Sequence, residues 1–286
     1  MNAPAPEASC CLVCRAQDGA RVERLLTVLC ATQPCPRIHL VDLSPGALLR
    51  PLARRFGAHY RHAPGERNLL RAHNLALRVA AAAGSVVHAL LDPALEATPA
   101  GMSRLFACLR RDPGIGLLAP RVRHPDGRLR PLCTLLPHPG GFAAQVLAPL
   151  LYRASGRQAR HELHGGYERV MDVPVPPSCC LLLRVETVAR AGLLDEGLPP
   201  ALALADLARR VGRAARVVYL PHVTVVHAGR RPRTGWRELA AARRYFDKWG
   251  WWRDPERERI NARALRACGW AQGRASAAGT VRLETR

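Results

Sequence analysis

Two acidic residues of this chain stand directly after apolar runs. Asp42 follows the run at 38–41, and Asp92 follows the run at 86–91. Short apolar runs of this kind predict buried β-strands. The carboxyl ends of parallel strands share one edge of a sheet, and ligands of such sheets bind beyond that edge. Carboxylates placed there supply the anionic oxygen that holds a cation or accepts a proton, so we expect Asp42 and Asp92 at a ligand-binding cleft.

The elements that must position these residues alternate along the first 110 residues. Apolar runs predict strands, and apolar residues at helical spacing predict helices. Predicted strands cover residues 9–14, 38–41, 59–61 and 86–91, and predicted helices cover residues 21–29, 48–56, 68–82 and 102–110. Alternation at this spacing indicates an α/β fold with a parallel sheet and helices on both of its faces.

The pattern changes in the second part of the chain. Residues 112–141 are rich in Pro and Gly, which predicts loops with short strands. Further strands are predicted at 179–184, 217–220 and 223–227, and further helices at 186–191, 202–213 and 236–249. Asp206 therefore falls on a predicted helix, and His227 falls at the end of a predicted strand.

The charge of the chain is strongly positive. Its 43 basic and 22 acidic residues give a formal net charge of +21, and Lys248 is the only lysine. The arginines are scattered and no nucleic-acid-binding motif accompanies them, so we expect no nucleic-acid partner, although the charge alone keeps that alternative open. A basic surface also suits a phosphate-bearing substrate and peripheral contact with an anionic membrane.

The ten cysteines do not form the pattern of a secreted disulfide scaffold. Cys11 and Cys14 have CxxC spacing, but they lie in a predicted strand and no second CxxC follows at zinc-site spacing, so we expect buried thiols. No apolar run approaches the roughly 18 residues needed to cross a bilayer. The sequence predicts a cytoplasmic protein. Peripheral contact with the inner face of the cell membrane stays open as an alternative.

Nine short segments carry a more specific signal through their order and spacing. They are 40–42 (LVD), 68–77 (NLLRAHNLAL), 90–96 (LLDPALE), 116–121 (GLLAPR), 124–127 (HPDG), 178–184 (SCCLLLR), 194–197 (LDEG), 225–227 (VVH) and 244–255 (RYFDKWGWWRDP). Over residues 9–265 this series resembles the family-two inverting glycosyltransferases, in particular bacterial rhamnosyltransferase-like enzymes of surface polysaccharide synthesis.

The resemblance implies a GT-A fold, in which a Rossmann-like, mostly parallel sheet is flanked by helices and followed by a smaller, mixed acceptor-side half. It implies transfer of a sugar from a nucleotide-sugar donor to a glycan or lipid-linked acceptor. The expected parts are a disordered N-terminus at 1–8, a nucleotide-sugar-binding half at 9–130, an acceptor-side half at 131–230, a C-terminal helical segment at 231–268 and a flexible tail at 269–286.

The resemblance also assigns roles to individual residues. In the family, a divalent cation held by the second Asp of a DxD motif offsets the charge of the leaving diphosphate, and a carboxylate on a later helix acts as general base. The matching residues are Asp42, Asn68, Asn74 and Asp92 for nucleotide-sugar binding, Ser178, Cys179, Asp195 and Glu196 on the acceptor side, Asp92 and His227 for a metal, and Asp206 for the base.

Carboxylates are missing from two motifs of the family pattern. Ala94 stands at the second Asp of DxD, and Ala203 and Leu204 stand where an acidic pair is expected; Ser178 replaces a glycine. Mg²⁺ and Mn²⁺ prefer several oxygen ligands, so one Asp with one His makes a divalent cofactor doubtful.

Two hypotheses therefore compete, beside the nucleic-acid alternative. In the first, the protein transfers sugar without a metal, with Asp206 or Glu96 as base and arginines neutralising the diphosphate. In the second, it is a catalytically silent relative that binds a nucleotide, a glycan or a partner enzyme. Each acid also has a structural interpretation, because Asp42 and Asp92 suit turns after strands and Asp206 suits a helix surface.

Overall fold

Parallel strands and covering helices form the first half of the chain, as the alternation predicts. The computed structural model describes residues 7–229 and 236–270. Its first elements are β1 (Ala8–Cys14), α1 (Gly19–Cys30), β2 (Arg37–Asp42), α2 (Arg50–Arg55), β3 (His59–His62), α3 (Leu69–Ala82) and β4 (Val87–Leu91). Asn68 starts α3 because its side-chain oxygen accepts a hydrogen bond from the Leu70 amide, which satisfies an amide that the helix itself leaves free.

The rest of the chain adds further strands and most of the helices. Its elements are β5 (Leu95–Glu96), α4 (Pro99–Arg111), β6 (Ile115–Arg123), α5 (Pro139–Leu147), α6 (Pro149–Ala154), α7 (Arg157–His161), β7 (Met171–Asp172), β8 (Cys180–Arg184), α8 (Val185–Ala191), α9 (Pro200–Val211), β9 (Arg216–His227), α10 (Trp236–Trp249) and α11 (Pro255–Ala267). The helix predicted at 236–249 is confirmed at both ends.

One nine-stranded sheet joins the two halves. Its strand order is β3-β2-β1-β4-β8-β6-β9-β5, and β7 pairs with β9. Strands β1 to β4 are mutually parallel, β8 runs antiparallel between β4 and β6, and β9 runs parallel to β6. The predicted α/β class, with a mostly parallel first half and a mixed second half, is confirmed.

Both faces of the sheet are covered by apolar side chains. Along β1, Cys10 and Leu12 face the core beneath α1 and α4, whereas Cys11 and Val13 face α3. A strand buried on both faces is typical of an α/β sheet. Burial raises the pKa of the Cys11 thiol, so the CxxC cysteines lie in the core as neutral, apolar side chains.

Two long strands depart from the expectation of loops and short strands. Residues 112–141 contain β6, a nine-residue strand that includes Pro120, and the two strands predicted at 217–220 and 223–227 are one strand, β9, that includes Pro221. Proline lacks the amide that a ladder requires, and the pairing of β6 with β9 shifts register between Pro120 and Arg121. This irregularity absorbs the prolines without ending either strand.

The predicted division at residue 130 stays a prediction; β8, which follows that residue, lies between β4 and β6, which precede it. Ala8, expected in the disordered N-terminus, begins β1. Residues 1–6, most of the tail expected at 269–286 and the start of the segment expected at 231–268 lie outside the described residues. Within 7–229 and 236–270, the helices are too short or too polar to span a membrane.

Candidate functional site

The two acidic residues that end predicted strands lie at the same edge of the sheet. Asp42 pairs with Cys14 across β2 and β1, while Leu91, directly before Asp92, pairs with Leu12 across β4 and β1. Because β1 lies between β2 and β4, two strand spacings, about 10 Å, separate the two chain positions. The carboxyl edge of the parallel strands therefore brings both residues to one region, as expected.

Asp42 uses its carboxylate within its own loop. One oxygen accepts from the Ser44 amide at 2.9 Å, and the other accepts from the Leu49 amide at 3.3 Å and from the Tyr60 hydroxyl at 2.8 Å. Burial raises the pKa of Asp42, but these hydrogen bonds outweigh that effect and leave the pKa below its usual value. Asp42 thus organises the loop after β2, and its direct contact with a nucleotide stays a prediction.

Asp92 meets residues from two other strands. Its backbone amide donates to the Cys179 carbonyl at 2.9 Å, next to exposed Ser178. Its Oδ1 accepts from the Ala94 amide at 2.7 Å and lies 3.3 Å from Nε2 of His227. The Asp92 side chain remains 44% exposed. The fold thus assembles predicted donor-side, acceptor-side and metal-site residues around one accessible carboxylate.

The electrostatic surroundings of Asp92 favour its ionised form. Partial burial raises its pKa, but His227, the Ala94 amide and the positive charge of Arg21 together lower it below the usual carboxyl value. Arg21 lies on α1, which follows β1, so a cationic side chain from a third element acts on this carboxylate. The site is therefore anionic at Asp92 with positive charge nearby.

Arg130 is the residue at this site that sequence reasoning missed. Its Nη1 lies 2.6 Å from Nδ1 of His227 and donates to the His227 carbonyl at 2.9 Å, and Arg130 is only 3% exposed. A turn at Asp126-Gly127 reverses the chain after β6, and the Arg130 amide then donates to the Val122 carbonyl. Asp-Gly is a strong hairpin signal, so the sequence indicates the turn, whereas the contact of Arg130 with His227 depends on the pairing of β6 with β9 in the folded sheet.

The two predicted metal ligands come together but do not fit a divalent cation as they stand. Among residues 7–229 and 236–270, His, Cys, Asp and Glu side chains nowhere gather in groups of three or more that suit a metal ion. Ala94 brings a methyl group where the second carboxylate would be, and a guanidinium lies against His227. A hard cation would find one carboxylate and a neighbouring positive charge.

Asn68, Asn74 and Glu196 form a hydrogen-bonded clasp between α3 and the loop before α9. Asn68 Nδ2 donates to the Glu196 carbonyl at 2.8 Å, and Asn74 Nδ2 donates to Glu196 Oε1 at 2.9 Å and to the Leu194 carbonyl at 2.8 Å. The sequence assigned the two asparagines to the donor side and Glu196 to the acceptor side. The structure places them in one group, and their substrate contacts stay predictions.

Asp195 anchors the same loop to α10. Its carboxylate accepts from the Gly197 amide at 3.0 Å and forms an ion pair with Arg244 at 3.1 Å. Burial raises the pKa of Asp195, but the hydrogen bond from Gly197 and the contacts with Arg244 lower it overall. The loop at 194–197 is therefore held from both sides.

Asp206, the predicted base, is fully buried on α9. Its carboxylate accepts from Trp249 Nε1 at 2.8 Å and forms ion pairs with Lys248 at 2.6 Å and Arg210 at 2.8 Å. A base must reach the proton that it removes, so catalysis by Asp206 would require these contacts to break. In the described structure, Asp206 joins α9 to the end of α10.

The positions of the missing acidic pair also lie inside the molecule. Ala203 and Leu204 belong to a hydrophobic core that α8, α9, α10 and α11 share with strands of the sheet, and Leu204 is 6% exposed. The chain has therefore used this turn of α9 for packing.

A cavity of about 750 Å³ lies beside the site. Its lining begins at Pro131, the residue after Arg130, and includes side chains of α5 to α7 and of α9. Apolar walls are provided by Leu132, Leu136, Phe142 and Leu202, and polar groups by Arg157 and Arg160. Cavities of this size and character are typical of small-molecule sites.

The sheet topology and the site at its carboxyl edge define a protein of the GT-A glycosyltransferase fold. The mannosyltransferase PcManGT from Pyrobaculum calidifontis, solved with GDP-Man and Mn²⁺, matches with a TM-score of 0.57 at 16% identity over 92% of this chain and 73% of its own. GalNAc-T7, solved with UDP, GalNAc and Mn²⁺, matches with a TM-score of 0.62 at 14% identity over 96% of this chain and 53% of its own. TarS from S. aureus matches with a TM-score of 0.58 at 12% identity over 91% and 43%.

A curated relative gives the resemblance a sequence basis. The N-acetylglucosaminyl-diphospho-decaprenol L-rhamnosyltransferase of Mycobacterium tuberculosis (strain CDC 1551 / Oshkosh) is 32% identical over 181 residues, which cover 58% of this chain and 57% of the relative. The protein of strain ATCC 25618 / H37Rv gives the same values. This chain thus spans little more than half the length of the curated relatives that it matches. No protein-family model matches it. The predicted resemblance to rhamnosyltransferase-like enzymes of the GT-A fold is confirmed.

Proposed function

We propose that this protein is a glycosyltransferase that moves a sugar from a nucleotide-sugar donor to a glycan or lipid-linked acceptor in cell-surface polysaccharide synthesis. The observation that carries the proposal is the meeting of Asp92, Cys179 and His227 at the carboxyl edge of a GT-A sheet. Two neighbours of this fold were solved with GDP-Man or UDP, which supports a nucleotide-sugar donor here.

The acceptor proposal is supported by the cavity that begins at Pro131. Its leucine and phenylalanine walls suit an apolar chain, and the guanidinium groups of Arg157 and Arg160 suit a phosphate. The name of the curated relative includes a diphospho-decaprenol group. We therefore propose a lipid-linked diphosphate as the acceptor class.

The proposed reaction is a displacement with inversion at the anomeric carbon. An acceptor hydroxyl forms the new C–O bond, the bond from the sugar to the diphosphate breaks, and the diphosphate leaves with the bonding electrons. A carboxylate takes the hydroxyl proton. Glu96 is the better placed of the two proposed bases, since it is exposed on β5 two residues after Ala94, whereas Asp206 is buried.

Thermal stability in the presence of UDP, dTDP and GDP tests the donor side of the proposal. A nucleotide that binds the folded protein raises Tm, by an amount set by its concentration relative to Kd. We expect one nucleotide to raise Tm, and Asp92→Asn to weaken that effect. The matched control is Asp126→Asn, in the exposed turn after β6. If no nucleotide raises Tm at millimolar concentration, the proposed function is wrong.

A second candidate function is nucleotide-sugar binding without transfer. The burial of Ala203 and Leu204, and the three contacts that hold Asp206, favour it. Hydrolysis of the sugar nucleotide that binds best separates the two candidates. Release of free sugar above the rate without protein supports a transferase, whereas binding with no release supports the silent relative.

A further inference from the structure

The contact between Arg130 and His227 fixes which nitrogen of the imidazole carries a proton. A guanidinium has five N–H donors and no acceptor. Nδ1 of His227 lies 2.6 Å from Nη1 of Arg130, so it must accept a hydrogen bond and must be unprotonated. In a neutral imidazole the proton then resides on Nε2, because the hydrogen bond at one ring nitrogen sets the state of the other.

The Nε2 position lies next to the carboxylate of Asp92. It lies 3.3 Å from Asp92 Oδ1, yet it has no hydrogen-bond partner among the residues that the structure describes. His227 is itself only 7% exposed. A buried N–H without a partner costs free energy unless a ligand or water satisfies it. The imidazole therefore holds a buried, unsatisfied donor directly behind the partly exposed carboxylate of Asp92.

Gly229 packs closely against the edge of the imidazole that carries this donor. A Cβ at position 229 would lie 2.5 Å from Cε1 and 2.9 Å from Nε2 of His227. Any other residue would crowd the edge of the imidazole that carries the proton. Position 229 therefore requires glycine, whose backbone packs against this edge of the imidazole.

We propose that His227, held by Arg130, donates its Nε2–H to a diphosphate oxygen of the donor, and that donor binding therefore needs no divalent cation. The inference rests on the proposed function and deepens it. A metal ion would need an imidazole lone pair at Nε2, and the contact with Arg130 leaves a proton there. Positive charge for the diphosphate comes instead from Arg130 behind the imidazole and from Arg21, whose charge also acts on Asp92.

Nucleotide titrations with and without Mn²⁺ test the proposal. We expect UDP, dTDP or GDP to raise Tm equally in Mn²⁺ and in EDTA. Arg130→Met and His227→Phe should each weaken nucleotide binding roughly tenfold or more, as the loss of a hydrogen bond to a charged group does. Arg128→Met is the matched control, since it removes the same charge from the same hairpin at a side chain that is 85% exposed. Stabilisation that requires Mn²⁺ would overturn the proposal while leaving the proposed function intact.

A measurement on the unmodified protein avoids any loss of folding in the variants. Long-range ¹H–¹⁵N correlation spectra of protein labelled in histidine report the protonation of each ring nitrogen, and His227→Phe identifies the signals of His227. We expect an unprotonated Nδ1 and a protonated Nε2, with the Nε2 signal shifted by the nucleotide in EDTA. An unprotonated Nε2, or a signal that the bound nucleotide leaves unmoved, would show that His227 is not the donor.

Discussion

A carboxylate serves as a general base only when an oxygen faces the substrate, and the acids of this chain differ in that respect. Asp206 is surrounded by Trp249, Lys248 and Arg210 in the interior, whereas Glu96 is exposed and has no ion pair with any described residue. Burial and pairing give Asp206 a structural role, because breaking a buried charge pair strongly destabilises a protein. Because Glu96 is accessible, it is the better candidate for the general base.

Replacing each acid by its amide separates these roles. We expect Asp206→Asn to destabilise the fold by about 3 kcal/mol, because two buried or half-buried cations lose their counter-charge, and to lower Tm by roughly 6 °C. Glu96→Gln should leave Tm unchanged and slow sugar release by about 100-fold. Scanning calorimetry and the hydrolysis assay measure both effects. An Asp206→Asn protein with unchanged Tm and no turnover would instead identify Asp206 as the base.

The helices and strands of the first half of the chain are the part of the fold that the sequence predicted best. Apolar periodicity found β1 to β4 and α1 to α4, since these elements bury one stripe or both faces in a shared core. It missed β6 because Pro120 and the neighbouring glycines are typical of loops. The register shift that allows Pro120 to lie within the strand is a property of the assembled sheet and not of the local sequence. The same difference holds for the site. The ends of predicted strands indicated Asp92, whereas the contact of Arg130 with His227 depends on how the hairpin after β6 packs in the folded protein.

Helix α9 is held in place by ion pairs and by an aromatic contact. Arg209 forms two hydrogen bonds with Asp254, at 2.6 and 2.5 Å, and lies over the ring of Trp249. These contacts join α9 to the end of α10 and to the start of α11, where Asp254 caps the helix. With this surface of α9 covered, an acid restored at position 204 would be buried.

Leu204→Asp tests this view of α9. A carboxylate at this position should destabilise the protein by about 3 kcal/mol or more, since a packed leucine is lost and a carboxyl group is buried among apolar side chains. Thermal unfolding measures the effect, expected at roughly 6 °C. Leu48→Asp makes the same change at an exposed position and should be nearly neutral. Equal Tm values for both variants, or faster sugar release in Leu204→Asp, would mean that α9 opens to the cleft.

The ion pairs at the start of α11 predict a pH dependence. The hydrogen bond from Arg213 is the largest effect on Glu256 and, despite partial burial, it acts with Arg209 to lower the pKa from 4.5 to about 2. A carboxyl pKa that is lower in the folded state stabilises the fold above 4.5, and this contribution is lost as the pH falls toward 2. Allowing for partial exposure, it amounts to about 1–2 kcal/mol.

We therefore expect Glu256→Gln to lower Tm at pH 7 by roughly 3 °C and to reduce the fall in Tm between pH 5 and pH 3. Circular dichroism melts across this range provide the measurement. Glu258→Gln, at an exposed position of the same helix, should follow the unmodified protein at every pH. Parallel curves for Glu256→Gln and the unmodified protein would rule out this contribution.

The whole molecule combines a formal charge of +21 with exposed aromatic side chains near the cavity. Trp251 and Trp252 lie exposed between α10 and α11, and Trp252 contacts His138 at the start of α5. Helices α5 and α6 also expose Leu147 and Leu151. Tryptophan favours the boundary between water and lipid, and arginine is attracted to anionic headgroups by about 1 kcal/mol per side chain near the surface. A lipid-linked acceptor would be reached from such a surface.

Vesicle co-sedimentation tests this orientation at the scale of the whole protein. We expect binding to vesicles of phosphatidylglycerol and phosphatidylcholine, weakening steeply from 50 to 300 mM NaCl as the Debye length shortens, and no binding to phosphatidylcholine alone. Trp252→Ser should weaken binding severalfold at fixed salt, whereas Leu48→Ser, an exposed apolar residue before α2, should not. Unchanged binding of Trp252→Ser would mean that charge alone drives binding, and retention on neutral vesicles would contradict the role of the arginines.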